Sequence, residues 1–592
     1  MYGQGLMLCS RMAMQKSKEN NFINRLMTVL FIFSILAAVK LIFVDYTMDE
    51  EYQIVMAYRN LSGDSIFGTM WEPHQTSAFM CIAIMYVFRL LTGGYAGVVI
   101  TLRIVTELVR AALSYWIFRS VKRHTDKTTA LLSALLYFNS VPKLIDIPEF
   151  SNMQLWFFTI MTLSLMEYYY REKTVTDEKR KILFLILSSA ALALEILSYP
   201  SCIILFPVTI VFIGVSSREH RIRDILVYVS TDTACALVWL AVVLRRITPE
   251  ELIRNVRYSV GFDLTHDLSG STEGKLSGSI TYLWQTALML ALIFAASMLI
   301  TKIFIKRSST DEETCRKFVP VVSMVLIAGV IQIFFWIVLR KGYEYPQIHL
   351  LTVFLSAGIL IASYRKDKEK TERIGPFLYG FWGSVISVLA VFYISDLRFF
   401  NALPHGMLGI VMALCIISAL AGEKGRKLIT VLFIGMVVTA MIGKGGSIKG
   451  GRELRSVTDI RGIMKEGPAI GILSDYMCCY IYNSDYEDFA ANIEEGENVL
   501  IVTNMIQAPG TTPYMFGDYK VCHFSIVDPT SYDERLLTYW ELYPEKKPDV
   551  IVVDCWYGQL MEDPDNWIMK YIENDFGYSE CIDGKYVRFY KR

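Results

Sequence analysis

The sequence predicts a polytopic α-helical membrane protein of about 13 transmembrane helices with an α/β domain at its C-terminal end. Hydrophobic residues make up 53% of the 592 residues, and the mean hydropathy is +0.37. Apolar runs long enough, or nearly long enough, to cross a bilayer recur up to residue 443. After that point a glycine-rich stretch, 443–451, gives way to short β-rich runs that alternate with helical patterns.

The predicted boundary between the two parts therefore lies at this glycine-rich stretch, with a membrane module over 1–443 and an α/β domain over 444–592. The predicted spans are 23–44, 95–118, 128–142, 152–170, 182–198, 201–215, 225–244, 277–300, 318–339, 348–364, 375–394, 406–421 and 428–443. The apolar run 76–92 is followed by two glycines and is predicted to be re-entrant or to lie on the surface. Residues 45–94 then form a long first loop with juxtamembrane helices.

The loop charges predict the orientation of the chain in the plasma membrane. Loops rich in Lys and Arg alternate with less basic loops, and basic loops stay in the cytoplasm. The basic loops are 119–127, 171–181, 218–223, 302–317, 365–373 and 423–427. We therefore predict a cytoplasmic N-terminus, and an extracytoplasmic first loop and C-terminal domain.

Composition excludes several other classes. Lys plus Arg and Asp plus Glu number 58 each, and no basic block suits a nucleic acid. The eleven cysteines show no metal-binding spacing. The C-terminal part has no GxGxxG, P-loop or nucleophile elbow. Its predicted strands are 469–473, 499–503, 521–527, 550–554 and 586–590, and its predicted helices are 532–542 and 566–576.

Acidic residues in two loops are the first candidates for chemistry. Asp49, Glu50 and Glu51 stand together where the chain leaves the first span, and the loop 143–151 carries Asp146 and Glu149. An acidic loop is often only a solvated surface. Two such loops that converge on one cavity, however, could supply a general base and a ligand for substrate or for a divalent metal.

Charges inside a predicted span are the second feature. Arg103, Glu107 and Arg110 have the spacing i, i+4, i+7, which places all three on one face of a helix. Charges in a membrane are costly and normally face a bundle interior or a wet cavity. A structural ion pair and, for Arg103, a phosphate ligand are both open interpretations.

A third feature lies at the junction of two late spans, in residues 338–350. Arg340 and Lys341 are basic on the side predicted to be extracytoplasmic, against the usual rule. Cations in that place suit a lipid phosphate, whether of a substrate or of an ordinary membrane lipid.

Three short motifs resemble the GT-C fold of polyprenyl-phosphate-sugar-dependent glycosyltransferases, and in particular its protein O-mannosyltransferase-like and aminoarabinose transferase-like members. The matching positions are Asp49-Glu50 with Tyr52, Ala57, Arg59 and Gly63-Asp64, then Leu102-Arg103, then Arg340-Lys341-Gly342 with Tyr345-Pro346 and His349-Leu350. The sequence departs from the pattern in the second loop, where Ser151-Asn152 stand in place of an Asp, and at His349, where a Tyr is usual.

The resemblance implies inverting transfer of a sugar from a polyprenyl-phosphate donor to an acceptor hydroxyl on the extracytoplasmic face. Asp49 is the predicted base, helped by Glu50. Other predicted substrate-binding residues are Glu149, Asp146, His74, Arg59, Arg103, Arg340, Lys341, Tyr345 and His349. A divalent metal is left open, with Asp49 and Glu149 as its candidate ligands, and no other cofactor is expected.

The expected partners are the lipid-linked donor, membrane lipid, and a glycan, teichoic acid or protein acceptor. A transporter or flippase for a lipid-linked or polyanionic substrate is the main alternative. A polysaccharide polymerase or ligase and a non-catalytic sensor or scaffold are the others.

Overall fold

The computed structural model describes most of the chain. The described residues are 2–72, 74–174, 177–217, 219–260, 272–307, 311–340, 347–394, 399–450, 453–502, 520–521, 533–554 and 567–592. Most of the predicted strand 521–527 lies outside them.

Helices cover the greater part of every predicted span. The helices before the glycine-rich stretch are α1 (Tyr2–Phe43), α2 (Met48–Leu61), α3 (Phe79–Thr92), α4 (Val98–Val121), α5 (Lys127–Asn139), α6 (Phe150–Thr174), α7 (Glu178–Ser198), α8 (Leu205–Ser216), α9 (Arg221–Val243), α10 (Pro249–Val260), α11 (Thr272–Arg307), α12 (Glu312–Ile337), α13 (Ile348–Tyr364), α14 (Lys368–Ile394), α15 (Phe399–Ala402) and α16 (Met407–Gly446). Short 3-10 helices precede α3, α8 and α16, and a further one lies between α5 and α6.

The protein is a polytopic helical membrane protein, as the sequence predicts. Within the described residues, 8 helical stretches are long and apolar enough to cross a membrane, and two shorter apolar helices lie at Pro200–Ser216 and Ile348–Tyr364. The count of thirteen spans stays a prediction. The stretch Gln75–Thr92, which we predict not to cross, is among the 8 by length and composition.

A large apolar core holds the helical part together. It is built mainly from α5, α6, α12, α14 and α16, and the middle of α16 is almost entirely buried within it. Close packing of helices replaces the hydrophobic driving force between segments that already lie in lipid.

A single glycine divides α16 into two helices. Gly422 has φ 61° and ψ −157°, a conformation essentially restricted to glycine, in an otherwise helical stretch. It stands directly before the basic residues 423–427, where the sequence predicts a loop between two spans. The bend thus lies where the charge pattern predicts a break.

The C-terminal part is an α/β unit around a five-stranded sheet. Its strands are β1 (Ser447–Gly450), β2 (Glu453–Ser456), β3 (Gly462–Ile463), β4 (Leu473–Ser474), β5 (Asn498–Val502), β6 (Lys520–Val521), β7 (Val550–Asp554), β8 (Glu580–Asp583) and β9 (Val587–Lys591). Its α-helices are α17 (Tyr476–Asn492), α18 (Asp533–Leu542) and α19 (Trp567–Tyr571).

The main sheet has the order β6-β5-β7-β9-β8. The strands β6, β5 and β7 are parallel, and β7, β9 and β8 are antiparallel. The predicted strands 499–503, 550–554 and 586–590 match β5, β7 and β9 to within one residue at each end. The predicted strand 469–473 is wrong for most of its length, because β4 begins only at Leu473.

The C-terminal unit packs on the first loop, so both lie on the same side of the helical part. One buried apolar cluster joins first-loop and α4 residues to β5, β7 and β9. A second cluster places Trp71 of the first loop among α18, α19 and the other face of the same sheet.

We expect Gly422→Ala to lower stability by about 1–3 kcal/mol, because any other residue is strained at this backbone conformation. A Cβ at this position meets no atom within 4 Å, so the effect isolates conformation from packing. Thermal unfolding in detergent measures it. Gly358→Ala is the matched control, since that glycine lies inside α13 with open space around it and has ordinary helical φ. Equal midpoints for the two variants would contradict the account of the bend.

Candidate functional site

Eight buried or half-buried charged residues meet at the end of the helical part that faces the C-terminal unit. We call them the charge cluster: Lys40, Asp45, Glu50, Arg103, Glu107, Arg110, Asp146 and Lys444. They come from α1 and its end, α2, α4, the second loop (143–151) and the end of α16. Four are cations and four are carboxylates, so the cluster is balanced in charge.

Arg103 and Glu50 form the most fully bonded pair. Arg103 Nε lies 3.0 Å from Glu50 Oε1, and Nη2 lies 2.7 Å from Oε2. The remaining N–H groups of Arg103 donate to main-chain carbonyls at the end of α1, those of residues 41, 42, 44 and 45. Glu50 Oε2 also accepts the Thr47 N–H at 3.2 Å, near the start of α2. Every N–H of this guanidinium therefore has a protein partner.

The other two charges of α4 join the helix to α16 and to the second loop. Arg110 Nη1 lies 2.6 Å from Glu107 Oε1 and 2.9 Å from Asp146 Oδ1. Lys444 Nζ lies 2.9 Å from Glu107 Oε1 and donates to Phe138 O at 3.1 Å. The spacing i, i+4, i+7 thus gives three buried charges that bind three different elements.

A small cavity lies inside the charge cluster. Its lining includes Lys40, Asp45, Glu50, Arg103 and Asp146. Its volume is about 10 Å³, roughly the space of one water molecule. The first loop and the second loop therefore contribute carboxylates to one cavity, as the sequence predicts for Glu50 and Asp146.

Two carboxylates of this cavity are in environments that favour a bound proton. Burial raises the pKa of Asp45 to about 6, against the opposing charge of Lys40. Burial and the charge of Glu107 raise the pKa of Asp146 to about 7, against Arg110. Asp146 Oδ2 accepts no hydrogen bond from the described residues. Groups that titrate near neutral pH can accept and return protons.

A second cavity adjoins the first and shares Leu144 and Ser447 in its lining. Its volume is about 60 Å³, and its walls are mostly apolar. His349 and Lys444 supply polar groups there. His349 Nδ1 is buried and has no hydrogen-bond partner among the described residues, while its ring contacts Trp336 at 5.5 Å.

Four predicted site residues lie elsewhere. Arg59 binds Asp64 at 2.8 Å, the Glu72 carboxylate and Thr69 O at 2.7 Å, all within the first loop. Glu149 accepts the N–H groups of Ser151 and Asn152, at 2.8 and 2.7 Å, and so caps α6.

The ring of His74 stacks on Phe150 at 4.4 Å. Arg340 is exposed and lies 3.3 Å from Asp459 Oδ2. The side chain of Asp49 and all of Lys341 and Tyr345 lie outside the described part of the structure. Of these three, only the backbone of Asp49 is described, in the first turn of α2.

A divalent metal stays open, because the side chain of Asp49, one candidate ligand, lies outside the described part of the structure. No group of three or more His, Cys, Asp and Glu residues among the described side chains could hold a metal ion. Both oxygens of Glu149, a predicted ligand, are engaged by main-chain N–H groups.

Sequence reasoning missed Lys40, Asp45 and Lys444. Lys444 follows the last apolar run on the side predicted to be extracytoplasmic, so the argument that singled out Arg340 and Lys341 applies to it equally. Asp45 has φ 72°, which is uncommon for a residue with a Cβ and has no signature in the sequence.

We expect Glu50→Gln to lower the free energy of unfolding by about 3 kcal/mol, because it leaves the buried guanidinium of Arg103 without its counter-charge. The amide is isosteric and its oxygen can still accept the Thr47 N–H. Its NH2 group then faces Arg103 Nε, so one hydrogen bond is lost together with the charge. Thermal unfolding in detergent measures the change. Glu313→Gln is the control, since it removes an exposed helical pair with Lys317 and should leave the midpoint unchanged. Similar midpoints for both variants would contradict the structural role of the buried pair.

Comparison with known proteins identifies distant structural similarity only. No family model matches the sequence, and no curated protein matches it. Among solved structures, the oligosaccharyltransferase AglB from Archaeoglobus fulgidus in complex with an inhibitory peptide and a dolichol-phosphate is 11% identical. That match covers 89% of this chain and 69% of that chain, with a TM-score of 0.41.

ArnT from Cupriavidus metallidurans bound to undecaprenyl phosphate is also 11% identical, with 96% of this chain and 98% of that chain covered and a TM-score of 0.41. The Archaeoglobus fulgidus oligosaccharyltransferase in complex with Zn and sulfate is 13% identical, with 92% and 70% covered and a TM-score of 0.42. These proteins are GT-C fold glycosyltransferases, the group that the sequence motifs resemble.

Proposed function

We propose that this chain is an integral membrane glycosyltransferase that moves a sugar from a polyprenyl-phosphate donor to an acceptor hydroxyl. One observation carries the proposal. Glu50 of the first loop and Asp146 of the second loop line one cavity together with Lys40 and Arg103, although they are distant in sequence. Carboxylates and cations at a membrane boundary are the groups that transfer from a lipid phosphate needs.

The carboxylates serve the acceptor. A sugar on a phosphate is already activated, so the enzyme has to remove the proton of the attacking hydroxyl and stabilise the departing phosphate. Attack from the face opposite the phosphate inverts the anomeric carbon. Asp49 remains the predicted base, because it directly precedes Glu50 on α2. Asp45 and Asp146 are the alternatives that the structure adds, since both line the cavity.

The cations serve the phosphate. Arg103 is committed to Glu50 and to α1, so its predicted contact with phosphate would require it to give up a protein partner. Lys40 lines the charged cavity and Lys444 lines the adjoining one. Each would also have to give up a protein partner, Ser447 O for Lys40 and Glu107 for Lys444. Charge-assisted contacts to a leaving phosphate gain strength where water is excluded. Arg340 and Lys341 remain proposed contacts for the donor as it enters.

The adjoining cavity suits the lipid end of the donor. Its walls are mostly apolar, and its polar lining residues are Asn139, Ser140, Gln347, His349, Lys444 and Ser447. Both cavities are smaller than a sugar phosphate, so the surrounding elements have to move apart when the donor binds. We propose that this side of the membrane is extracytoplasmic, and that the acceptor is a glycan, a teichoic acid or a protein. A transporter or flippase would use the same cavities without breaking a bond.

Three matched variants test the proposal and identify the base. Purified full-length protein is incubated with polyprenyl-phosphate hexose and pentose donors labelled in the sugar, and with candidate acceptors. The variants are Asp45→Asn, Asp49→Asn and Asp146→Asn. We expect the one that removes the base to lower kcat by about 100-fold or more. Asp575→Asn, in an exposed part of the C-terminal unit, is the control. Movement of intact donor across vesicles without transfer of label would favour the flippase instead.

The pH profile separates the alternatives. A carboxylate acts as a base only when deprotonated, so activity should rise as pH increases through the pKa of the base. We expect the midpoint of this rise at about pH 6 if Asp45 is the base and at about pH 7 if Asp146 is the base. A profile that stays flat from about pH 5 to pH 8 contradicts both assignments.

A further inference from the structure

The C-terminal unit binds the far half of the first loop through side chains of one helix and the turn after it. Arg535 Nη2 donates to Trp71 O at 2.7 Å, and Tyr539 Oη donates to Thr69 O at 2.8 Å. Lys546 pairs with the carboxylate of Asp64, and both side chains are largely buried. Burial of an ion pair between two separate parts of the chain fixes their relative position.

Trp71 strengthens this attachment. Its side chain is fully buried in the apolar cluster of α18 and the sheet. The indole ring lies parallel to the ring of Tyr258 at 4.4 Å and edge-on to Tyr539 at 5.1 Å. The first loop thus supplies a core residue to the C-terminal unit.

A second attachment lies at the other end of α2. Leu473 O accepts the Asp45 N–H at 2.7 Å, and Gly467 O and Pro468 O accept the N–H groups of Gly97 and Val99. The segment 464–474 therefore lies between the end of α1 and the start of α4. It supports the left-handed conformation of Asp45, whose carboxylate lines the charged cavity.

The two attachments are connected through α2 itself. Arg59, near its C-terminal end, binds Asp64, Glu72 and Thr69 O. These residues lie in the same segment, 64–72, that Tyr539 and Lys546 hold. Because α2 carries Asp49 and Glu50 in its first turn, both ends of this helix are positioned from the C-terminal unit.

We propose that the C-terminal unit is the positioning element of the candidate active site, and that Lys546 and Tyr539 are positioning residues for the first-loop carboxylates. This proposal rests on the proposed function. Misplacement of a reacting group by about 1 Å can lower a rate about 100-fold. The catalytic step should therefore depend on these contacts more strongly than donor binding does.

The first test measures the first loop directly, without activity. Amide hydrogen exchange is followed in peptides that cover residues 60–72 of the full-length protein in detergent. We expect exchange there to accelerate by about 10-fold in the double variant Lys546→Ala, Tyr539→Phe, because local opening becomes easier. Lys547→Ala, which removes the exposed neighbouring lysine, is the matched control. Equal exchange in the double variant and the control overturns the proposal.

The second test uses transfer of labelled sugar from a polyprenyl-phosphate hexose. The double variant should lower kcat by about 10-fold or more with the KM for donor changed less than about two-fold. The single variant Lys546→Arg, which keeps Tyr539 and the positive charge, should retain most of the rate. A raised KM with unchanged kcat overturns the positioning role. If the unmodified protein transfers no sugar, the proposed function fails, while the exchange result still decides whether the C-terminal unit holds the loop.

Discussion

The hydrogen bonds of the Arg103 guanidinium are the interactions on which the candidate site depends most. They join α4 to Glu50 of α2 and to the main-chain carbonyls at the end of α1. A buried guanidinium is costly unless all its donors are satisfied, and here each N–H has an acceptor. The end of α1, the start of α2 and the first third of α4 are therefore fixed to one another. The charged cavity lies between these elements.

The charge cluster combines a structural and a chemical part. Glu107, Arg110 and Lys444 form a buried chain that ties α4 to α16, and Arg110 extends it to Asp146. Both oxygens of Asp146 are buried without a hydrogen-bond partner among the described residues, and Oδ1 lies 2.9 Å from Arg110 Nη1 as an ion pair. A carboxylate held in place on one side and open on the other is suited to accept a proton from an acceptor hydroxyl. The neighbouring pairs hold it there.

Much of the helical architecture could be predicted from hydropathy, because a segment in lipid has to satisfy its backbone within itself. The bend at Gly422 falls where loop charges predict a break. The convergence of Glu50 and Asp146 on one cavity was predictable from two acidic loops on the same side. The partners of Arg103 could not be predicted, because most of them are main-chain carbonyls, which every residue has.

Other site residues could not be predicted for similar reasons. Arg59 and Glu149 look like ligands in the sequence, but each binds groups close to it in the chain. Asp45 depends on a left-handed backbone and on a carbonyl from residue 473, more than 400 residues away. The β-rich run 469–473 predicts a strand, but most of this segment is irregular chain that packs between α1 and α4. Tertiary contacts outweigh local propensity at such places.

The most direct test of the central claim is an experimental structure of the full chain with undecaprenyl phosphate bound. We expect the phosphate between Lys40 and Lys444, with the lipid chain leaving past His349 and with Asp45 and Asp146 across the cavity from the phosphate. A phosphate bound outside both cavities, with the charge cluster unchanged and closed, would contradict it.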